Sequence, residues 1–130
     1  MTSKDFLIDS QVLVWLSSSK GLLGSQTKRI LERGSVHFST ISVAELQFKA
    51  KIGRLTLASN AVEQWLELGF KLLSFNLQAA EHFGSFSATE IPDPMDRQIM
   101  AIARANNLAL ITSDRKILAQ QFDWVLDATT

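Results

Sequence analysis

The sequence predicts an α/β protein built around a mostly parallel β-sheet. Short apolar runs alternate along the chain with longer amphipathic segments, which is the pattern of repeated βαβ units. The run 108–111 is apolar throughout, as expected for a parallel strand covered on both faces. Glycines at 34, 53 and 69 directly follow three of the amphipathic segments, where helices commonly stop. The 130 residues are expected to form a single domain, 1–130, with its own core.

The elements follow in chain order from these signals. Apolar or β-branched runs predict strands over 6–8, 36–38, 72–75, 108–111 and 124–126. Segments with apolar residues at helical spacing predict helices over 10–17, 25–33, 41–52, 60–68, 77–83, 95–105 and 115–121. The segment 95–105 follows an Asp-Pro pair, which typically begins a helix, and 85–91 is predicted to be a polar loop.

Composition excludes several classes of function. There are no cysteines, so the chain has neither disulfides nor thiolate metal sites. Thirteen basic and thirteen acidic residues balance to a net charge of zero, so any contact with nucleic acid must be local. The longest apolar run, 12–16, is far too short to span a membrane, and no signal-peptide pattern precedes it. We therefore expect a cytoplasmic protein without a membrane partner.

Four carboxylates stand where a predicted strand gives way to a helix: Asp9, Glu45, Asp96 and Asp114. The carboxyl ends of parallel strands open into one crevice, where α/β sheets bind ligands. Two carboxylates in close contact repel each other by roughly 4 kcal/mol at an effective dielectric constant of 20. A divalent cation would offset that repulsion, and oxygen ligands are what Mg²⁺ prefers. The pattern favours a Mg²⁺ or Mn²⁺ site.

Each acid also has a purely structural interpretation. Asp9 and Asp114 have the position of helix N-caps. The segment 42–45 has the form of a capping box with its glutamate reaching back to the serine, and 93–96 places an acid at the cap and another at the third helical position. If capping is their only role, the chain is a non-catalytic binding module.

Helical phase favours the site interpretation. Asp96 shares a helical face with Ile99, and Glu45 is expected to lie between Ile41 and Phe48 on one buried face. Side chains so placed point toward the sheet. Hydroxyl groups adjoin the acids and are secondary candidates that either orient a carboxylate or satisfy strand ends: Ser10, Thr112 and Ser113.

Four motifs together resemble the PIN-domain ribonucleases, with the closest likeness to the VapC-type toxins of bacterial toxin–antitoxin pairs. In order, they are Leu7-Ile8-Asp9-Ser10, Ser42-Val43-Ala44-Glu45, Asp93-Pro94-Met95-Asp96-Arg97 and Leu110-Ile111-Thr112-Ser113-Asp114. Members often carry Thr-His after the first aspartate, where this chain has Ser10 and Gln11. The ordered set extends over nearly the whole chain.

The resemblance implies a three-layer α/β/α sandwich, often homodimeric, and a metal-dependent endoribonuclease that is blocked by a cognate antitoxin. It places the four catalytic and metal-binding acids at Asp9, Glu45, Asp96 and Asp114, and gives Asp93 a secondary or capping role. Asp9, Asp96 and Asp114 are expected to hold one Mg²⁺ or Mn²⁺, directly or through waters. Glu45 is expected to help hold a second cation or to orient the attacking water.

RNA phosphates also need cationic partners. Arg97 and Arg115 each follow a proposed metal ligand and are the preferred candidates. Three basic residues that follow Glu45 are further candidates for phosphate contacts: Lys49, Lys51 and Arg54. For the two lysines, an ordinary solvated helix face is the slightly favoured alternative.

Two alternatives to a nuclease stay open at this stage. A receiver domain or an aspartate-nucleophile phosphatase also gathers acids and Mg²⁺ at strand ends, but Asp9-Ser-Gln-Val lacks the acid pair or the Asp-x-Asp-x-Thr pattern that they need. A binding module would use the large apolar residues of 41–68, which either cover the core or form a groove for a partner helix.

Overall fold

A computed structural model describes residues 5–130 and shows a five-stranded sheet in the order β3-β2-β1-β4-β5 with every neighbouring pair parallel. The strands are β1 (Asp5–Ile8), β2 (Ser35–Ser39), β3 (Lys71–Leu73), β4 (Ala109–Thr112) and β5 (Val125–Asp127). The strand order reverses between β1 and β4, which pair at the centre of the sheet. A crevice at the carboxyl edge is expected at such a reversal.

Helices cover both faces of the sheet. In the described residues they are α1 (Ser10–Ser18), α2 (Ser25–Arg33), α3 (Thr40–Lys51), α4 (Ala61–Glu67), α5 (Leu77–His82), α6 (Pro94–Ala105) and α7 (Arg115–Leu118). All the predicted strands and helices are present, and their ends differ from the predicted ends by three residues at most. The predicted α/β fold with a parallel sheet is confirmed.

Alternate residues of the central strands belong to two separate cores, because successive side chains of a strand point to opposite faces. Ile8 and Ile111 pack with Val12 and Leu13 of α1 and with Leu46 of α3 on one face. On the other face, β-strand residues pack with helices α5, α6 and α7. The result is the three-layer α/β/α sandwich that the resemblance implied.

Two expectations about α3 are wrong. The helix begins after Ser39, whose Oγ accepts a hydrogen bond from the Ser42 backbone N–H at 3.0 Å, so Ser42 lies inside the first turn and no capping box forms at 42–45. Phe48 is 61% exposed and does not share a buried face with Glu45. The buried face of α3 instead carries Ser42 and Leu46.

No helix within residues 5–130 is long and apolar enough to cross a lipid bilayer.

Candidate active site

A cleft of about 510 Å³ opens at the carboxyl edge of the sheet, beside the junction of β1 and β4. The four predicted acids and the secondary candidate Asp93 all line it. The elements that carry them are far apart in sequence and are brought together by the parallel pairing of β1 with β4 and β2. The convergence expected of Asp9, Glu45, Asp96 and Asp114 is therefore present in the fold.

Asp9 follows β1 and caps α1. Its Oδ1 accepts a hydrogen bond from the Val12 backbone N–H at 3.0 Å, and its Oδ2 accepts one from the Thr112 hydroxyl. The backbone N–H of Asp9 donates to the Ile111 carbonyl at 3.1 Å, which ties this turn to the end of β4. Burial raises the pKa of Asp9 to about 6, although the hydrogen bond from Thr112 opposes that shift.

The Thr112 side chain links Asp9 to Asp114. Its buried hydroxyl donates to Asp9 and accepts a hydrogen bond from the Asp114 backbone N–H at 3.0 Å. The neighbouring Ser113 lines the cleft itself. Thr112 thus orients the Asp9 carboxylate and fixes the backbone, not the carboxylate, of Asp114.

Asp114 caps α7, as its position after β4 predicts. Its Oδ1 accepts hydrogen bonds from the backbone N–H groups of Lys116 at 2.9 Å and Ile117 at 3.0 Å. Ile117 is only 2% exposed, so the first turn of α7 is anchored in the core.

Asp96 occupies the third position of α6, after the Asp93 cap and Pro94. Oδ1 of Asp93 accepts from the Met95 backbone N–H at 2.9 Å. Asp96 is half-buried, and the stripe below it, which includes Ile99 and Met100, is buried as its helical phase predicts. Burial raises the pKa of Asp96 to about 7, and repulsion from the surrounding carboxylates, Asp93 and Asp114 foremost, adds to the shift.

Glu45 lies in the second turn of α3 and is held from two sides. Its Oε1 accepts a hydrogen bond from the Ser10 hydroxyl at 2.7 Å, and its Oε2 pairs with the Lys49 ammonium at 2.9 Å. The Ser10 hydroxyl also lies 3.0 Å from the Ser42 hydroxyl, in a buried polar contact between α1 and α3. Ser10 is therefore a residue that positions Glu45.

The two arginines expected at phosphates do not line the cleft. The Arg97 guanidinium stacks over the Phe83 ring at 5.0 Å and donates to the Pro92 carbonyl at 3.4 Å. Arg115 is exposed, and neither arginine lines the cleft. The basic residues that do line it are Lys49 and Arg54. The sequence signal that could have identified Lys49 and Arg54 is their position shortly after Glu45.

Both histidines lie away from the acids. His37 Nδ1 is 3.2 Å from the Phe6 carbonyl between β1 and β2, and His82 Nδ1 is 3.0 Å from the Gln78 carbonyl in α5. Neither histidine lines the cleft.

The donor set suits a hydrated divalent cation better than a closed protein cage. Within residues 5–130, no group of three or more His, Cys, Asp or Glu side chains is arranged to hold a metal ion by itself. Mg²⁺ usually binds one or two carboxylates and completes its octahedron with waters and phosphate oxygens. The cleft offers oxygen donors. Burial is the main cause of the raised pKa of Asp96, and repulsion from the surrounding carboxylates, which a cation would offset, adds to it.

Comparison with known proteins agrees with this fold. A family model described as the PIN domain matches residues 6–122. No curated protein sequence matches the chain at a significant level.

Solved structures of similar fold cover nearly all of the chain. A toxin–antitoxin complex from Klebsiella pneumoniae has 23% identity and a TM-score of 0.66, covering 94% of this chain and 96% of its own. VapBC-1 from nontypeable Haemophilus influenzae has 20% identity and a TM-score of 0.70, covering 97% and 99%. DNA-bound VapBC from Salmonella typhimurium has 19% identity and a TM-score of 0.67, covering 95% and 97%. Because the family model matches residues 6–122, a range that includes all four acids of the cleft, the chain belongs to the PIN-domain family.

Proposed function

We propose that this PIN-domain protein is a metal-dependent endoribonuclease that serves as the toxin of a toxin–antitoxin pair in the cytoplasm. The observation that carries the proposal is the convergence of Asp9, Glu45, Asp96 and Asp114 on one cleft at the carboxyl edge of the sheet. Family membership supports the nuclease class. The toxin role is supported by the solved structures of similar fold, several of which are toxin–antitoxin complexes.

The roles of the acids follow from their environments. Asp9, Asp96 and Asp114 would hold Mg²⁺ or Mn²⁺, directly or through waters, and Glu45 would hold a second cation or orient the attacking water. A cation bound there would lower the pKa of a bound water and stabilise charge on the phosphoryl oxygens. The hydrogen bond from the Thr112 hydroxyl orients the Asp9 carboxylate. Ser10 and Lys49 hold the two oxygens of Glu45.

Two proteins are proposed partners. A cognate antitoxin would cover the cleft and block access of RNA, and a second copy of the chain would complete a homodimer. Exposed apolar side chains on α3 and α4, among them Phe48 and Leu66, are surface that such partners could bury.

The test is cleavage of labelled RNA by the purified chain with Mg²⁺, with Mn²⁺ and with a chelator. Asp9→Asn removes a charge that the site needs while retaining the capping oxygen, so we expect a folded variant with cleavage reduced at least about a hundredfold. Asp123→Asn is the matched control, because Asp123 is exposed and does not line the cleft. It should cleave like the unaltered chain.

Full cleavage by Asp9→Asn in excess Mg²⁺ would refute the proposed mechanism. Single-stranded DNA of the same sequence tests the substrate class, since cleavage of both polymers at equal rates would reject specificity for RNA. Induced expression in bacteria tests the toxin role: the unaltered chain should arrest growth and Asp9→Asn should not.

A further inference from the structure

Two basic side chains, Lys49 and Arg54, line the otherwise acidic cleft. We propose that Lys49 and Arg54 form a phosphate clamp that holds the RNA backbone against the cleft, in place of the arginines that the sequence pattern favours. The proposal rests on the nuclease function proposed above and names the residues that bind its substrate.

The end of α3 brings the two cations together. Gly53 adopts φ +79°, a left-handed conformation that glycine accepts without strain. Its backbone N–H donates to the Ala50 carbonyl at 3.1 Å, and the next N–H, of Arg54, donates to the Lys49 carbonyl at 2.9 Å. These two bonds make a Schellman turn, which folds the chain back over the last helical turn. These hydrogen bonds fix the backbone of Arg54 beside that of Lys49, and both residues line the cleft.

Lys49 retains capacity for a phosphate while it pairs with Glu45. An ammonium group has three donors, and its contact with the Glu45 carboxylate at 2.9 Å uses one of them. The Lys49 side chain is 37% exposed and the Glu45 side chain 13%, so the lysine is on the solvent side of the pair. A phosphate oxygen can approach Lys49 without breaking this contact.

Arg54 complements the lysine chemically. It is exposed and follows the turn that ends α3. A guanidinium group binds a phosphate through two parallel N–H donors, whereas an ammonium group acts as a point charge. Together the two groups can hold adjacent phosphates of a strand.

Electrostatics explains why a clamp is needed at this position. Asp9, Glu45, Asp93, Asp96 and Asp114 line the same cleft, and RNA is itself a polyanion. The chain has no net charge that would attract RNA from a distance. Affinity must therefore come from local cations at phosphates next to the scissile bond.

The experiment measures binding without cleavage. Fluorescence anisotropy of a labelled single-stranded RNA is recorded with Ca²⁺ in place of Mg²⁺, and a gel checks that the RNA stays intact. Lys49→Gln and Arg54→Gln should each weaken binding about five- to tenfold and lower the slope of log K against log salt by about 0.7. Lys49→Arg, which keeps the charge, should bind within about twofold of the unaltered chain.

Lys51→Gln is the matched control, because it removes the same charge from an exposed position of the same helix that does not line the cleft. It should change binding less than about twofold.

If Lys49→Gln and Arg54→Gln bind RNA as Lys51→Gln does while the unaltered chain cleaves RNA, the clamp is refuted and the nuclease proposal stands. If the unaltered chain neither binds nor cleaves RNA, both are refuted. Equal loss in Lys49→Arg and Lys49→Gln would show that the positive charge at position 49 does not account for RNA binding and would also overturn the clamp.

Discussion

At the scale of single residues, capping a helix and forming the site are compatible roles for the same carboxylates. Asp114 uses Oδ1 for both capping hydrogen bonds, which leaves Oδ2 for the cleft. Asp9 accepts from the Val12 N–H and the Thr112 hydroxyl on separate oxygens, with a further hydrogen bond from the Ser113 backbone N–H. A carboxylate has about four lone-pair sites, so acceptor capacity remains. The caps fix the direction of each carboxylate before any cation binds.

The raised pKa values of Asp9 and Asp96 predict how stability depends on pH. Between pH 4 and 7 the folded chain binds more protons at these carboxyls than the unfolded chain does, so their contribution to the free energy of unfolding is lost as pH rises. In metal-free buffer, the free energy of unfolding of Asp96→Asn should fall less between pH 5 and pH 8 than that of the unaltered chain. The difference should be on the order of 1 kcal/mol, after allowing for solvent screening of a half-buried group. Urea denaturation at the two pH values measures it.

Asp123→Asn again provides the control, because it removes an exposed carboxylate outside the cleft. Its stability should change with pH as that of the unaltered chain does. Identical pH dependence in Asp96→Asn and Asp123→Asn would show that Asp96 ionises as an ordinary surface carboxyl.

At the scale of elements, the sequence was most informative where local signals and burial agree. Helix α6 begins at its Asp-Pro pair and buries the predicted stripe. Helix α3 was harder to predict, because Ser39 and Ser42 are both suitable caps and only the end of β2 decides between them. Arg97 does not line the cleft, and its guanidinium instead stacks over the Phe83 ring, fourteen residues earlier in the chain. Such tertiary contacts leave no local pattern in the sequence.

Helix α3 also divides its apolar residues between core and surface, which periodicity alone did not resolve. Leu46 is 1% exposed and Phe48 is 61% exposed. Leu46→Ala should lower the free energy of unfolding by about 2–5 kcal/mol because it leaves a cavity, and Phe48→Ala should change it by less than about 1 kcal/mol. Urea denaturation of both variants measures the difference. Equal losses would mean that Phe48 is covered by another chain in solution.

At the scale of the whole molecule, the site is a product of topology. Parallel pairing of β1 with β4 places Asp9 and Asp114 side by side although more than a hundred residues separate them, as the link through Thr112 shows. Convergence at the carboxyl edge could be predicted, because any parallel sheet gathers its strand ends there. The strand order could not, since nothing local in β3 or β4 specifies which neighbour each will pair with. Lys49 and Arg54 are found only once the sheet places α3 at the cleft.

The central claim is that the converging carboxylates bind a divalent cation, and thermal unfolding during a Mn²⁺ titration tests it most directly. A cation that binds the folded chain stabilises it by mass action, so the Tm should rise by about 5–10 °C at a concentration roughly a hundredfold above Kd. Asp96→Asn should lose most of that rise and Asp123→Asn should keep it. An unchanged Tm, or an equal rise in Asp96→Asn, would contradict the claim.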